Sequence, residues 1–258
     1  MASSSFPDHF SASAAGYAAY RPGYPAALFE WLASIAPRGG VAWDCGTGTG
    51  QAATAIAEHV GLVVATDPST SQLAHAVAHP RVRYAAMSAE LSALASKSVA
   101  LITVAQALHW FERRAFFAEA LRVLVPRGVI AVWSYGVVTL HDDVLDALVR
   151  RFHAETVGSY WPPERRLVDE GYRDLTLPFA PVEAPAFAMQ AAWTLDQLAG
   201  YVSTWSAVQR ARAATGNDPV AGLVESLREA WGAAAAARRV EWPLTLIVGR
   251  ADGQGRTR

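Results

Sequence analysis

The chain has 258 residues, 52% hydrophobic and 17% charged, which suits one large domain or two small ones and is too apolar for a disordered chain. Its 22 Lys and Arg stand against 23 Asp and Glu, a net charge of −1, so no global basic field exists to gather nucleic acid or anionic lipid. The single cysteine, Cys45, excludes a disulfide framework and any multi-cysteine metal site.

Taken in chain order, residues 1–17 lack a basic stretch followed by an apolar one, the pattern of a secretory signal. No run approaches the roughly 18 apolar residues of a membrane span. A soluble, cytoplasmic protein with no membrane partner is the expectation. Tyr17, Tyr20, Arg21 and Tyr24 make residues 1–39 dense in aromatic and cationic groups. They suit an N-terminal lid of helices; the competing reading is an ordinary packed helix with a surface arginine.

Residues 41–44 form a β-rich run that ends in Cys45-Gly-Thr-Gly-Thr-Gly50, and 51–60 read as a helix. A second strand at 62–67 leads through Asp67-Pro68-Ser69 into a helix over 69–78, with a cap and a proline at its entry. Strands follow at 82–87 and 99–106. The helix at 112–125 is expected to stop at Pro126-Arg127-Gly128, before a strand at 129–135. Strands apolar on both faces and separated by helices predict a parallel sheet covered on both sides. Residues 40–136 thus read as a doubly wound α/β core.

Beyond Tyr135 the alternation fails. Residues 141–157 look helical, with Asp142-Asp143 at the N-terminus. An aromatic, Pro-rich loop spans 160–166, and a possible strand lies within 178–190. Two amphipathic helices are expected at 195–214 and 219–237, a final strand at 240–248 and a polar tail at 251–258. No repeat and no Gly/Ser linker divides the chain. One domain is therefore predicted, with 137–239 forming a mixed region and helical cap. Trp161, Trp193 and Trp205 suit scaffold packing there, and the pairs Arg165-Arg166 and Arg238-Arg239 suit solvent.

The chemistry concentrates at Asp44-Cys-Gly46-Thr47-Gly48-Thr-Gly50. Glycines between a strand and a helix permit a tight turn and close approach of a ligand to the backbone. Asp67 ends the next strand, where an acid accepts hydrogen bonds from ribose hydroxyls. The bland alternative is that the glycines only close a turn and Asp67 only caps a helix. A dinucleotide loop reads Gly-x-Gly-x-x-Gly; here the third glycine comes one residue early, and Gln51 stands where it belongs. Asp44 would repel a pyrophosphate but suits a ligand with a free α-amino group, which points to S-adenosylmethionine.

On these residues the chain resembles the class I S-adenosylmethionine-dependent methyltransferases. Asp44-x-Gly46-x-Gly48-x-Gly50 matches their first motif, Thr66-Asp67-Pro68-Ser69 their second-strand acid, and Pro126-x-Gly128 their fifth-strand entry. Tyr20-Arg-Pro-x-Tyr-Pro25 and Gln106-Ala-Leu-His-Trp-Phe111 are similar to a branch with trans-aconitate-methyltransferase-like small-molecule enzymes. The resemblance implies a Rossmann-like sheet of seven strands with the last antiparallel. Many relatives carry Asp-Ala after the third strand, where the acid meets adenine. Here Ser88-Ala89-Glu90 occupies the place, and either Ser88 or Glu90 fills that role, with the Ala89 N–H available to a ring nitrogen.

The resemblance also sets Gln106, His109 and Trp110 beside the sulfonium, and Tyr20 and Arg21 in the lid that holds the cofactor carboxylate. An aromatic face is worth about 0.5–2 kcal/mol to a nearby cation, and Trp110 suits that role. Phe111 reads rather as the apolar seat of the following helix. His109 is either a general base, for a hydroxyl or amine substrate, or an orienting group, for a carboxylate that carries no proton to remove. The expected partner is a small molecule and not nucleic acid, and the expected reaction is in-line methyl transfer without a metal. The rival readings are a nucleotide-cofactor oxidoreductase and a non-catalytic cofactor-binding module.

Overall fold

The computed structural model describes residues 22–252; Tyr17, Tyr20 and Arg21 of the expected lid lie outside the described residues. Helix α1 (Ala26–Ile35) precedes strand β1 (Val41–Cys45), α2 (Gln51–Ala57), β2 (Val63–Asp67), α3 (Thr70–Ala74), β3 (Val82–Ala86) and β4 (Val99–Ala105). A 3-10 turn (Leu108–Trp110), α4 (Arg113–Val123) and β5 (Leu124–Tyr135) complete the core. Five strands run parallel in the order β3-β2-β1-β4-β5.

The reason for parallel pairing is visible in β4, where six of seven residues are buried. Helices must then cover both faces of the sheet. On one face α1 and α2 pack Leu28, Phe29, Leu32 and Ile56 against Ala65, Leu101 and Trp133. On the other, α4 packs Phe116, Phe117 and Val123 against Ile102, Val104 and Val132.

The remaining elements are α5 (Asp143–Arg151), a π-helical turn (Phe152–Thr156), a 3-10 turn (Gly158–Tyr160), α6 (Arg165–Asp169), β6 (Ala180–Val182) and β7 (Ala188–Trp193). They are followed by α7 (Leu195–Ser203), α8 (Ser206–Thr215), α9 (Pro219–Trp231) and β8 (Arg238–Arg250). The C-terminal part of β8 inserts antiparallel between β5 and β6, and its N-terminal part pairs with β7 from Trp193↔Arg238 to Ala188↔Pro243. The sheet therefore has eight strands where seven were expected. The eighth exists because β8, at 13 residues, outruns β5 and takes a second partner in the cap.

Four other expectations shift. Strand β5 begins at Leu124, directly after α4, and includes Pro126-Arg127-Gly128. Leu124 pairs with Val99 and Val129 with Leu101, so the tripeptide sits in an irregularity of the ladder, where a proline costs no pairing. The helix expected over 69–78 spans only Thr70–Ala74, capped by Ser69, which accepts from the Gln72 N–H. The helix expected over 195–214 is two helices. Trp205 breaks it with extended backbone, burying its ring against Phe152, Trp161 and Tyr201. Helix α9 stops at Gly232 (φ +79°), and the Arg238 guanidinium donates to the Ala230 and Trp231 carbonyls at 3.1 and 2.9 Å.

Asp142 caps α5 as expected, accepting from the Val144 and Leu145 N–H groups. A third core lies in the cap, where Trp193, Tyr201, Trp205, Trp231 and Trp242 pack with Val149, Leu198 and Leu227. Trp242 donates from Nε1 to the Tyr201 hydroxyl at 2.9 Å.

Candidate active site

The loop after β1 holds three glycines at φ +70°, +56° and +87°, at positions 46, 48 and 50. A Cβ on Gly46 would lie 2.5 Å from that of Ala107, and one on Gly50 would lie 2.1 Å from the Tyr84 hydroxyl. Those glycines are required by both backbone conformation and space. The loop is tied to β2: the Gly46 and Thr47 N–H groups donate to Thr66 O, and the Gly48 N–H donates to Asp67 Oδ2 at 2.9 Å. Asp67 Oδ1 accepts from the Ser69 N–H. Asp67 thus organises the loop as well as ending the strand, while Ser69, two residues after it and beyond Pro68, caps the helix.

Asp44 is fully buried. Its oxygens accept from Thr103 Oγ1 at 2.6 Å and Thr47 Oγ1 at 2.5 Å. Burial, with Asp67 as a further negative charge, raises its pKa to about 6. An acid so placed suits a cationic ligand group and opposes a pyrophosphate. Thr103 was not singled out from the sequence; its signal was being the polar residue within an apolar β4.

At the third-strand edge, Ser88 is exposed and Ala89 buried. Glu90 Oε1 accepts from the Glu112 N–H at 3.0 Å, at the entry to α4. Gln106 leaves β4 at φ +54° and donates from Nε2 to Tyr135 O at 3.0 Å, bridging the ends of β4 and β5. His109 and Trp110 follow on the 3-10 turn with ring centroids 4.9 Å apart. Phe111 turns toward Gly46 and packs on Phe116. Tyr24 packs edge-on against Trp133, Phe29 and Tyr135.

At this turn sequence reasoning missed Tyr172 and misplaced Arg165. Tyr172 lies 3.2 Å from His109 Nδ1 through its hydroxyl. Arg165, expected in solvent, stacks over Trp161 at 4.8 Å while its Nε donates to Asp169; Arg166 beside it is 79% exposed. Neither residue stands in a motif, and both reach the turn through α6, some sixty positions downstream. Burial, with a smaller contribution from Arg165, lowers His109 to about 4.

This geometry defines an αβα protein with a glycine loop, a second-strand acid and the buried Asp44 gathered at the ends of β1 and β2. Residues 43–132 match the family model described as a methyltransferase domain. A candidate methyltransferase of Dictyostelium discoideum is 32% identical over 229 residues, covering 88% of this chain and 87% of its own. A solved structure from Anaeromyxobacter dehalogenans, named a candidate type II methyltransferase, is 43% identical with TM-score 0.85, over 91% of this chain and 100% of its own. A Mycobacterium tuberculosis methyltransferase is 35% identical over 127 residues, 48% of this chain and 51% of its own. The chain belongs to the class I S-adenosylmethionine-dependent methyltransferases. Its cofactor is S-adenosylmethionine, which the buried Asp44 and the three glycines of the loop fit; the oxidoreductase reading falls with this membership. Among the described residues, no helix is long and apolar enough to cross a membrane.

Proposed function

We propose that the protein methylates a small molecule in the cytoplasm, as enzymes of the trans-aconitate-like branch do, and that the acceptor is a carboxylate. The cofactor supplies an activated methyl group for in-line displacement. Asp44 holds its ammonium group, the loop and Asp67 hold its ribose, and Ala89 with Ser88 or Glu90 faces the adenine. Gln106 fixes the edge between β4 and β5, and Trp110 offers an aromatic face to the sulfonium. The chain contributes orientation and exclusion of water.

The observation that carries the small-acceptor reading is the cap. Its core is continuous with Tyr135 at the end of β5 and draws in Tyr24, which supports a cap that closes a pocket at the strand ends. The net charge of −1 supplies none of the long-range attraction on which polyanion binding depends. The carboxylate is favoured because His109, neutral at pH 7 with its pKa lowered to about 4, is a weak base, and a carboxylate is already ionised. Labelled S-adenosylmethionine, offered with small carboxylic acids and phenols in competition with RNA and DNA, tests this. The expected product is a methyl ester; preferred labelling of nucleic acid overturns the small-molecule reading, and preferred labelling of phenols overturns the carboxylate.

A further inference from the structure

Two non-glycine residues with left-handed backbone meet at the His109 turn. Gln106 (φ +54°) precedes it, and Tyr172 (φ +51°) touches it. An L-residue there is strained and persists only where its surroundings hold it. What holds Tyr172 is the end of α6. The Tyr172 N–H donates to Leu167 O and the Gly171 N–H to Val168 O, both at 2.9 Å, which is the paired closure of a helix C-terminus. This strap swings the ring inward until it is 3% exposed, with the hydroxyl 3.2 Å from His109 Nδ1.

Three other groups near the phenol favour its charge, the backbone N–H of His109, the Arg165 guanidinium and the Ser134 hydroxyl. Ser134 is 1% exposed and its Oγ lacks a hydrogen-bond partner among the described residues. The phenol's own proton needs an acceptor, and His109 Nδ1 is the one that lies within hydrogen-bond distance among the described residues. Burial raises the Tyr172 pKa to about 12, so that proton is present throughout the working pH range.

We infer that Tyr172 is a positioning residue: its hydroxyl donates to His109 Nδ1 and fixes the imidazole as the Nε2–H tautomer, a hydrogen-bond donor toward the acceptor substrate. A neutral imidazole carries one donor and one acceptor nitrogen, so settling Nδ1 settles Nε2. His109 then steadies an acceptor oxygen and does not remove a proton from it. The inference rests on the proposed place of His109 at the methyl-transfer edge.

The test uses the full chain labelled with 15N-histidine, the His109 signals being identified by their loss in His109→Asn. In the wild type Nδ1 is expected to be unprotonated and Nε2 protonated. Tyr172→Phe, which removes only the hydroxyl, should give a mixture of tautomers. A protonated Nδ1 in the wild type overturns the inference, and so does an unchanged His109 spectrum in a folded Tyr172→Phe. The wild-type spectrum decides even if the variant does not fold. In the methyl-transfer assay Tyr172→Phe should lower kcat about 2- to 10-fold, the range for one lost hydrogen bond, with the KM for cofactor unchanged. The spectrum requires no turnover, so failure of the methylation reading would leave the tautomer result standing.

Discussion

The two halves of the molecule solve different problems with different chemistry. The sheet core gathers its functional groups from short turns at one edge: Asp44 to Gly50, Asp67, and Gln106 to Trp110. The cap, from residue 137 to the first half of β8, is held by an aromatic core in which Trp193, Tyr201 and Trp242 pack within 5.4 Å of one another by ring centroid. In the core, function is a property of backbone shape at strand ends. In the cap, it is a property of which large rings find each other across long stretches of chain. Changes in the cap should therefore lower stability and spare the cofactor, while changes in the loop should do the reverse.

Trp242→Ala makes the sharpest break. It removes a fully buried indole and its bond to Tyr201 and should cost about 3–5 kcal/mol of unfolding free energy. Cofactor affinity in the fraction still folded should hold near wild type; an equal loss of both would deny the separation. Asp67→Ala should show the opposite pattern. By leaving the Gly48 and Ser69 N–H groups unpaired and removing the proposed ribose acceptor, it should weaken cofactor binding by about 1–3 kcal/mol in calorimetry. Unchanged affinity would sink the ribose assignment.

Asp44 gives a smaller effect with a definite sign. Its pKa before ligand binding is raised to about 6, so the carboxylate is charged above that pH and neutral below it. An ammonium partner favours the charged form. Affinity should rise with pH through about 6 and level off above it, changing by up to about tenfold per unit on the acidic side. Asp44→Asn should flatten that dependence.

The smallest expected effect belongs to His109. With its pKa lowered to about 4, it does not titrate between pH 6 and 8, and kcat should be flat there. His109→Ala should lower kcat about tenfold, as loss of one donor does, and leave the profile flat. A rise near neutrality that vanishes in this variant would restore the general base.

The same division explains what could be read before the fold was in view. Glycine positions, the second-strand acid and the two-sided apolar strands are local signals, because a parallel strand buried on both faces must be apolar along its length and its turn must admit a ligand. The motif residues from 44 to 110 within reach of the described chain accordingly lie where their spacing put them. The cap carried only periodicity. Its amphipathic pattern predicted one helix over 195–214, and burial of the Trp205 ring overrode it.

The sequence by itself determined the doubly wound core, the glycine loop with Asp44 and Asp67, and from these the class of cofactor. Local backbone conformation and strand burial are written in neighbouring residues. Only the tertiary structure decided that β8 would be long enough to join sheet and cap, that Arg165 would turn inward while Arg166 stayed in solvent, and that Tyr172 would meet His109 across 63 positions. Such pairings depend on where α6 docks, a sum of many weak contacts between distant segments, and no short stretch of sequence records it.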